Sequence, residues 1–482
     1  KVLNDTTGAG NRPAIAKIKH NCDIIDDPKI IADKFNDFFV NIGPNLAKNI
    51  PPVPNGTIKD TLPFPNTNSI FINPCTSNEI LTIVKNFKNT KGIGLDGFST
   101  AVVKQIITKI SDPLTIICNK SMASGIFPHK LKLAKVVPVY KSEDKMLVSN
   151  YRPISVLPVF SKILEKLMYF RLEAFINKHN ILSQNQFGFR EKHSTNMALL
   201  DIIDNITQTL DSKAYSLGIF LDLSKAFDTI DHTILLSKLE NYGVRGLALN
   251  WFKSYLSNRH QSVEINTNLS LLQPITCGVP QGSILGPLLF IIYINDITKV
   301  STQVKSILFA DDTNLLLSDS DLMRLISKAN AELQKIIIWL KINKLSLNIK
   351  KTHYIVFHFR QRRIPENLKV VIDNCEVERV KFTKFLGVIL HENLTWANHM
   401  SYLANKIHKS IGILKALQPK LPISSLHMLY NTLVYPYLQY CNIAWASQYN
   451  TLVERIFILQ KRHYALSAKS LGVPIHNNCL NY

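Results

Sequence analysis

The sequence predicts a protein that combines α-helices with β-strands. Two kinds of pattern support this: apolar residues recur at helical spacing in several long segments, and short apolar runs typical of strands occur in the middle of the chain. The chain has 482 residues, of which 46% are hydrophobic and 19% charged, so it can bury a sizeable core and is not disordered as a whole. At roughly 100–200 residues per domain, this length corresponds to about two to four structural units.

The first element in chain order is an amphipathic helix at residues 27–43. Asp27 followed by Pro28 is a typical helix start, and apolar residues then recur at helical spacing until Gly43, where we expect the helix to end. Residues 51–74 contain six prolines with several Asn and Thr. We therefore expect a linker there.

Two further amphipathic helices are predicted at residues 161–179 and 396–417, the second terminated by Pro419. From residue 396 onward the chain contains one acidic residue, Glu454, and eight basic ones: Lys406, Lys409, Lys415, Lys420, Arg455, Lys461, Arg462 and Lys469. This region and the net charge of +21 favour a polyanionic partner, most simply nucleic acid, because Lys and Arg release counterions from phosphates. A membrane surface would need an amphipathic basic helix or a lipidation signal, and we find neither.

The cysteines argue against two further classes of protein. There are seven cysteines, they are scattered along the chain, and none has CxxC spacing. We therefore expect neither a disulfide scaffold nor a structural zinc site, and we expect the protein to occupy a reducing compartment. No apolar run approaches the ~18 residues of a membrane span, and residues 1–20 lack a signal-peptide core. Because the chain starts with Lys1, we expect it to be a fragment or a processed piece of a longer protein.

Two strand-like segments in the middle of the chain end in acidic residues. Residues 217–221 are a continuous apolar run, as expected of a strand buried on both faces, and Asp222 follows it. Residues 305–317 have apolar residues on both sides of Asp311 and Asp312, which predicts a hairpin with the acid pair at its turn. If the strands are neighbours, the three carboxylates converge and can bind two Mg²⁺ ions. The alternative is an ordinary turn dipeptide and an ordinary strand-end residue.

Seven short motifs then occur in a fixed order. They are Asn150–Ser155, Gln186–Arg190, Phe220–Asp228, Gly278–Phe290, Phe309–Asp312, Leu347–Thr352 and Lys384–Val388. In order and approximate spacing they resemble the motifs of reverse transcriptases from non-LTR retrotransposons (LINE-type, jockey/CR1-like). The resemblance spans about residues 77 to 450. The motif around Asp311 alone would be weak evidence, but seven ordered motifs are very specific.

The resemblance implies a right-hand polymerase fold of the α+β class, with fingers, a palm built on an antiparallel sheet, and a helical thumb. Residues 1–76 would be the N-terminal helix and Pro-rich linker, and 77–150 an N-terminal extension. Fingers and palm would occupy 151–395. A basic helical thumb and C-terminal region would occupy 396–482.

The resemblance also implies an activity, cofactors and partners. The chain would be an RNA-directed DNA polymerase that adds dNTPs to the 3′-hydroxyl of a DNA primer on an RNA template. It would use two Mg²⁺ ions, with Mn²⁺ as a possible substitute. It would act inside the cell, in the nucleus, after a cytoplasmic ribonucleoprotein stage and without a membrane. An inactive RNA-binding descendant and an RNA-directed RNA polymerase are the alternatives, and the sequence does not indicate the oligomeric state.

The family's metal-binding aspartates match Asp222 and Asp311, with Asp312 as the adjacent third acid. Phe227 lies five residues after Asp222, where the family places a steric gate that crowds a ribose 2′-hydroxyl. Such a gate speaks against the RNA polymerase alternative. The other interpretation of Phe227 is a core aromatic residue.

Two motifs carry the residues matched to nucleotide binding. Arg190 matches a residue that grips the triphosphate, since a guanidinium fork suits phosphate oxygens, although a solvated surface Arg is the alternative. Residues 278–287 contain too many Gly and Pro for a regular element. In the family, Gln281 contacts the nucleotide region, and glycines such as Gly282 let the backbone approach template and primer.

The remaining matches are basic. Lys351 matches a cation near the nucleotide phosphates, but Lys350 next to it leaves the assignment uncertain by one position, and a solvated pair is the alternative. Arg152 is expected to anchor template or fingers, and Lys406 and Lys409 to grip template and primer from the thumb.

The sequence departs from the family in two respects. Relatives often have Pro where this chain has Leu95, within an extension that carries no catalytic residue. Many relatives also carry an endonuclease domain or a Cys/His knuckle, and this sequence contains neither.

Overall fold

The computed structural model describes residues 15–446, apart from residues 21, 22, 55 and 91, together with residues 454 and 456–458. The α-helices in this part of the chain are α1 (Pro28–Lys48), α2 (Ile58–Thr61), α3 (Ser77–Asn86), α4 (Thr100–Ser124), α5 (Val159–Lys178), α6 (Thr195–Asp211), α7 (His232–Asn241), α8 (Leu247–Leu256), α9 (Leu285–Tyr293), α10 (Leu322–Ile342), α11 (Ala397–Leu417), α12 (Ile423–Leu433), α13 (Tyr435–Gln439) and α14 (Asn442–Trp445).

The strands are β1 (Ile18–His20), β2 (Asp23–Ile25), β3 (Leu133–Tyr140), β4 (Tyr151–Val156), β5 (Tyr215–Leu221), β6 (Arg259–Ile265), β7 (Asn268–Leu269), β8 (Gln273–Ile275), β9 (Lys305–Phe309), β10 (Asp312–Asp319), β11 (His353–Phe357), β12 (Val371–Ile372), β13 (Cys375–Glu376), β14 (Glu378–Arg379), β15 (Phe382–Phe385) and β16 (Val388–His391). Helices and mostly antiparallel strands are mixed along the chain, which confirms the predicted α+β class.

The chain forms two compact units. The first contains the residues up to 189 together with 223–302 and 335–348, and the second contains 190–222, 303–334 and the residues from 349 onward. The chain therefore passes between the units several times, and each unit is described separately below.

The first unit contains a five-stranded sheet in the order β4-β3-β6-β7, with β8 also paired to β6. Helix α1 packs on this sheet and forms a core cluster with it. The helix contributes Ile31, Ala32, Phe35 and Phe39, and the strands contribute Val136, Tyr151, Val263 and Ile265. As predicted, Asp27 starts the helix, because its carboxylate accepts the backbone N–H groups of Lys29 and Ile30 at 2.8 and 2.9 Å.

The predicted end of this helix at Gly43 is wrong, because α1 continues through Gly43 and Pro44 to Lys48. Glycine serves here for close packing. A Cβ atom built on Gly43 would lie 2.3 Å from the carbonyl oxygen of Asp228 and 2.4 Å from Sγ of Cys277. Glycine is therefore needed at position 43 because Asp228 and Cys277 leave no room for a Cβ atom, and not because the helix ends there.

Among the described residues of the Pro-rich segment 51–74, the short helix α2 is the only regular element, but the segment is anchored to the unit. The backbone N–H of Asn66 donates to the carbonyl of Asn241, and that of Ile70 donates to the carbonyl of Gly243. The guanidinium of Arg245 also donates to the carbonyl of Asn66. These bonds hold the segment beside the loop that follows α7.

The buried centre of the first unit is helical. The predicted helix 161–179 is confirmed as α5, and helix α9 is buried along almost its whole length. The ammonium of Lys238 in α7 is fully buried, where it donates to Asp296, whose other oxygen accepts from the indole of Trp339 at 2.9 Å. Such a buried charge is tolerated because it is paired and hydrogen-bonded.

The second unit contains a five-stranded sheet in the order β14-β11-β5-β10-β9. Strand β5 is central and buried on both faces, as its continuous apolar run predicts. It pairs antiparallel with β10 and with β11, and β10 forms the predicted hairpin with β9.

The second unit also contains the helices that follow the sheets. Helix α11 begins after Trp396 and ends before Pro419, as predicted, with Met400, Leu403 and Ile407 on its buried side. Of the eight basic residues from residue 396 onward, four lie outside the described residues: Arg455, Lys461, Arg462 and Lys469. In the part of the chain that the structure covers, none of the helices has the length and apolar character required to cross a membrane.

Candidate active site

Strand pairing in the second unit gathers the three predicted acids. Leu221, the last residue of β5, lies opposite Thr313 of β10. Continued by one residue, this register places Asp222 opposite Asp312, the first residue of β10. Phe309 pairs with Asp312 across the β9–β10 hairpin, so Ala310 and Asp311 form its two-residue turn. The condition set by the sequence, that the two strands are neighbours, is therefore confirmed.

The hairpin turn has an unusual backbone. Ala310 has a φ of 56°, in the left-handed region where a Cβ atom is unfavourable and glycine is the usual residue. Two-residue hairpins need positive φ in the turn to match the twist of the strands. The tight turn thus keeps Asp311 next to the end of β10 at a cost in local strain.

The three acids Asp222, Asp311 and Asp312 interact electrostatically with one another. Desolvation by the surrounding chain, together with the negative charges of Asp311 and Asp222, raises the pKa of Asp312 to about 6. Like charges held close together disfavour ionisation of one member of the group. A cation at this point would relieve that repulsion.

The end of β5 is also fixed from its other side. Strand β11 pairs with β5, and the backbone N–H of Asp222 donates to Oγ1 of Thr352 at 3.3 Å. Lys350 and Lys351 lie in the turn just before Thr352, and both are exposed. Both lysines thus lie in the chain segment that contacts Asp222. The assignment of nucleotide-phosphate binding to Lys351, and not to Lys350, stays a prediction.

The donor set fits Mg²⁺. Within the described residues, no group of three or more His, Cys, Asp or Glu side chains is placed to hold a metal ion by itself. Mg²⁺ is usually held by one or two carboxylates, with water and substrate phosphates completing the shell, and not by an all-protein cage. Carboxylates that repel one another at the end of a β-hairpin are suited to that role.

The other predicted residues are divided between the units, and Phe227 belongs to the first. Its ring stacks on Phe290 of α9 with 4.5 Å between centroids, and Phe189 contacts its edge at 6.2 Å. Phe227 is only half-buried. Its ring is therefore fixed by aromatic packing, which is compatible both with a core role and with a gate.

Gln281 and Gly282 lie on a loop that is tied down at several points. The carbonyl of Gln281 accepts the backbone N–H of Ser155 at 2.7 Å. Its side-chain nitrogen donates to both oxygens of Asp228, at 2.8 and 2.9 Å. Gly282 has a φ of 121°, and a Cβ there would lie 2.5 Å from the carbonyl oxygen of Ser155. Glycine is required at this position by the backbone and by the close approach of β4.

The expectation that residues 278–287 form no regular element is wrong at its end. Helix α9 already begins at Leu285 and includes Gly286 and Pro287. Proline is tolerated there because the first turn of a helix has no internal acceptor for its N–H groups. The N–H groups of Ile284 and Leu285 instead donate to the carboxylate of Glu165, at 2.8 and 3.3 Å.

The four remaining basic candidates differ in exposure. Arg190 is half-buried, and burial lowers the pKa of its guanidinium, so it is not the fully solvated Arg of the alternative interpretation. Arg152 is exposed on β4 of the first unit. Lys406 and Lys409 are exposed on α11 of the second unit.

Comparison with known proteins assigns the family. Residues 139–390, just over half of the chain, match the family model described as reverse transcriptase (RNA-dependent DNA polymerase). The chain belongs to the reverse transcriptase family. All seven motifs lie within or across this segment, and so do both sheets.

Three Drosophila melanogaster proteins are similar to this reverse transcriptase over most of its length. "Probable RNA-directed DNA polymerase from transposon X-element" is 27% identical over 81% of the chain and 44% of the relative. "Probable RNA-directed DNA polymerase from transposon BS" is 28% identical over 84% and 46%. "RNA-directed DNA polymerase from mobile element jockey" is 26% identical over 84% and 45%. The chain thus spans less than half the length of these relatives, which agree with the non-LTR resemblance.

Two acids of this reverse transcriptase were missed by sequence reasoning. Asp228 lies in a quoted motif but received no role, and Glu165 lies in a helix noted only for its apolar face. Glu165 is buried and Asp228 is half-buried, and both carboxylates are hydrogen-bonded to the segment 281–285. Glu165 lies at helical spacing with the apolar residues Met168 and Leu172, and an acid in that pattern is the one signal that could have pointed to it.

Proposed function

We propose that this chain is the RNA-directed DNA polymerase part of a non-LTR retrotransposon protein, adding dNTPs to a DNA primer on an RNA template. The observation that carries the proposal is the gathering of Asp222, Asp311 and Asp312 by strand pairing inside the segment matched by the family. The printed names of the similar proteins support the same activity.

Asp222 and Asp311, with Asp312 beside them, would hold two Mg²⁺ ions, for which Mn²⁺ is a possible substitute. When bound, the metal supplies charge neutralisation on the reacting phosphates and activates the primer hydroxyl. The protein holds the carboxylates in place before substrate arrives: β-sheet register sets two of them, and the tight turn at Ala310 sets the third. Pre-organisation of this kind lowers the reorganisation needed during reaction.

The nucleotide would be bound by Arg190 and Lys351 through its phosphates, with Gln281 beside it and Phe227 excluding a ribose 2′-hydroxyl. The half-buried guanidinium of Arg190 supports a fixed phosphate contact. The stacking of Phe227 on Phe290 supports a rigid ring, which a steric gate requires.

Template and primer would contact Arg152, Gly282, Lys406 and Lys409. The exposure of the three cations supports this role, as does the net charge of +21. We also propose the right-hand arrangement of fingers and palm over 151–395 and thumb from 396, preceded by an extension at 77–150. We further propose action in the nucleus after a cytoplasmic ribonucleoprotein stage, as the resemblance to non-LTR elements implies.

The test is primer extension on an RNA template with Mg²⁺ and dNTPs. Wild type should extend the primer, and Asp311→Ala should lose at least about a thousandfold in rate because a metal ligand is missing. Asp319→Ala is the matched control, since Asp319 lies at the far end of the same strand and pairs with Arg324. It should retain extension.

Each other outcome selects an alternative. Incorporation of rNTPs by wild type with the efficiency of dNTPs would favour an RNA-directed RNA polymerase. RNA binding without extension in any variant would favour an RNA-binding protein that has lost catalysis. Extension by Asp311→Ala at the wild-type rate would contradict the proposed metal site.

A further inference from the structure

The hydrogen bond between Asp228 and Gln281 fixes the orientation of the glutamine amide. Both carboxylate oxygens of Asp228 lie within hydrogen-bond distance of Nε2 of Gln281. An ionised carboxylate can only accept, so the NH₂ group of Gln281 must face it. The other end of the amide, the carbonyl oxygen Oε1, then faces away from Asp228.

The backbone of Asp228 is held tightly by its neighbours. The main-chain carbonyl oxygen of Asp228 accepts from Sγ of Cys277 at 3.3 Å. Cβ atoms built on Gly278 and Gly43 would lie 2.8 and 2.3 Å from the same oxygen, so two chain segments pack directly against it. Asp228 is thus a rigid anchor, held between helix α1 and the segment 277–281 of the first unit.

The main chain of the loop carrying Gln281 is equally fixed. The N–H of Gly278 donates to the carbonyl of Ile230, and that of Val279 donates to the carbonyl of Phe227. The carbonyl of Gln281 accepts from Ser155. With the backbone held, the side-chain amide is the part of Gln281 that could still rotate, and Asp228 is the residue that stops it.

We propose that Asp228 is a positioning residue that sets the hydrogen-bonding polarity of Gln281, so that Gln281 presents an acceptor to a donor group on the incoming nucleotide. The inference rests on the proposed function, because it requires Gln281 to lie beside that nucleotide. Asp228 itself touches no substrate. It acts by removing the orientation in which Gln281 would present its NH₂ group.

This role predicts an effect on nucleotide binding and not on chemistry. In Asp228→Asn the partner amide can either accept from or donate to Gln281, so both orientations of Gln281 become populated. We expect the KM for dNTP in single-nucleotide extension to rise about three- to tenfold, with kcat changed less than about twofold, because a charge-assisted hydrogen bond is replaced by a neutral one.

A double-mutant cycle separates positioning from a general structural role. Gln281→Met keeps the length of the side chain but cannot present an amide oxygen. In that background Asp228→Asn should have no further effect on KM, whereas independent structural damage would add. Asp231→Asn is the matched control: this nearby acid caps α7 and pairs with Lys344, without contact to Gln281. It should leave KM unchanged.

Melting temperatures are recorded for all variants, and Asp228→Ser replaces Asp228→Asn, with the same expectation, if the latter unfolds. Equilibrium dialysis of a labelled dNTP gives affinity without extension. If wild type binds dNTP and Asp228→Asn binds it equally tightly, the inference is overturned while the proposed function stands. A fall in kcat at constant KM, or additivity in the cycle, also overturns it. Wild type that neither extends nor binds dNTP overturns both.

Discussion

The acid cluster of the second unit and the Gln281 loop of the first are held in place by different means. Asp222, Asp311 and Asp312 are placed by backbone hydrogen bonds of a regular sheet and one two-residue turn. The loop is placed by side chains and close backbone contacts from segments remote in the sequence, among them Ser155 and Glu165. The backbone hydrogen bonds of a β-sheet tolerate changes of most side chains, whereas the position of the loop depends on a few individual side chains. Substitutions outside the acids should therefore damage the loop more than the hairpin.

The largest expected effect is at the start of α9. Glu165→Ala removes a fully buried carboxylate that accepts from Ile284, Leu285 and Ser161, and leaves the buried charge of Arg259 uncompensated. The free energy of unfolding in urea should fall by about 4 kcal/mol. Glu173→Ala on the same helix, where Glu173 accepts from Tyr169, is the control and should cost less than about 1 kcal/mol. Equal losses would show that the loop is not anchored by Glu165.

The second prediction concerns Gly282. Gly282→Ala places a Cβ 2.5 Å from the carbonyl of Ser155 on a backbone with a φ of 121°, so stability should fall by about 3 kcal/mol. Gly246→Ala provides the comparison, because Gly246 also has positive φ but nothing lies within 4 Å of the added atom. That variant should lose about 1 kcal/mol from backbone strain alone. The two values, measured by thermal unfolding, separate close packing from conformation, and similar values would contradict the contact with Ser155.

The third prediction sharpens the description of the acid cluster. Below the raised pKa of about 6, Asp312 carries a proton that a bound metal ion must displace. Mg²⁺ should therefore bind about fourfold more weakly at pH 5.5 than at pH 7.5, as calorimetric titration would measure. Asp319→Asn should keep this pH dependence, because the Arg324 hydrogen bonds hold the pKa of Asp319 well below its usual range. An affinity independent of pH would argue against Asp312 as part of the site.

The smallest effect is expected at the hairpin turn. Ala310→Gly relieves the left-handed strain but adds freedom to the unfolded chain, so stability should rise by about 0.5 kcal/mol or less. Ala214→Gly, in the loop before β5, has no positive φ to relieve and should be destabilising by a similar amount. Differential scanning calorimetry of the two variants gives the comparison. If both lose stability equally, the turn is not strained.

The sequence predicted the acid cluster well because its determinants are local. A continuous apolar run identified β5, and apolar residues on both sides of an acid pair identified the β9–β10 hairpin. The neighbouring position of the two strands, which periodicity cannot establish, followed from the family resemblance. The start of α1 was predictable for the same local reason, since Asp27 caps it directly.

The errors arise where a residue type serves a distant neighbour. Gly43 was interpreted as a helix end, but its missing side chain makes room for Asp228. Gly286 and Pro287 were interpreted as loop residues, but they lie in the first turn of a helix whose free N–H groups are satisfied by Glu165. The Asp228–Gln281 pair is separated by 53 residues, so no local pattern connects them.

Helix α1 lies outside the segment matched by the family, yet its apolar side covers the sheet of β3, β4 and β6. A fragment cut at the family boundary would lose α1 and most of β3, would leave Tyr151 and Val263 facing water, and would uncover the main chain at Asp228. Shortened versions of the chain should consequently be poorly soluble and readily proteolysed, even with every matched motif present. The useful N-terminal limit for expressing this protein is therefore ahead of residue 27, well before the first motif.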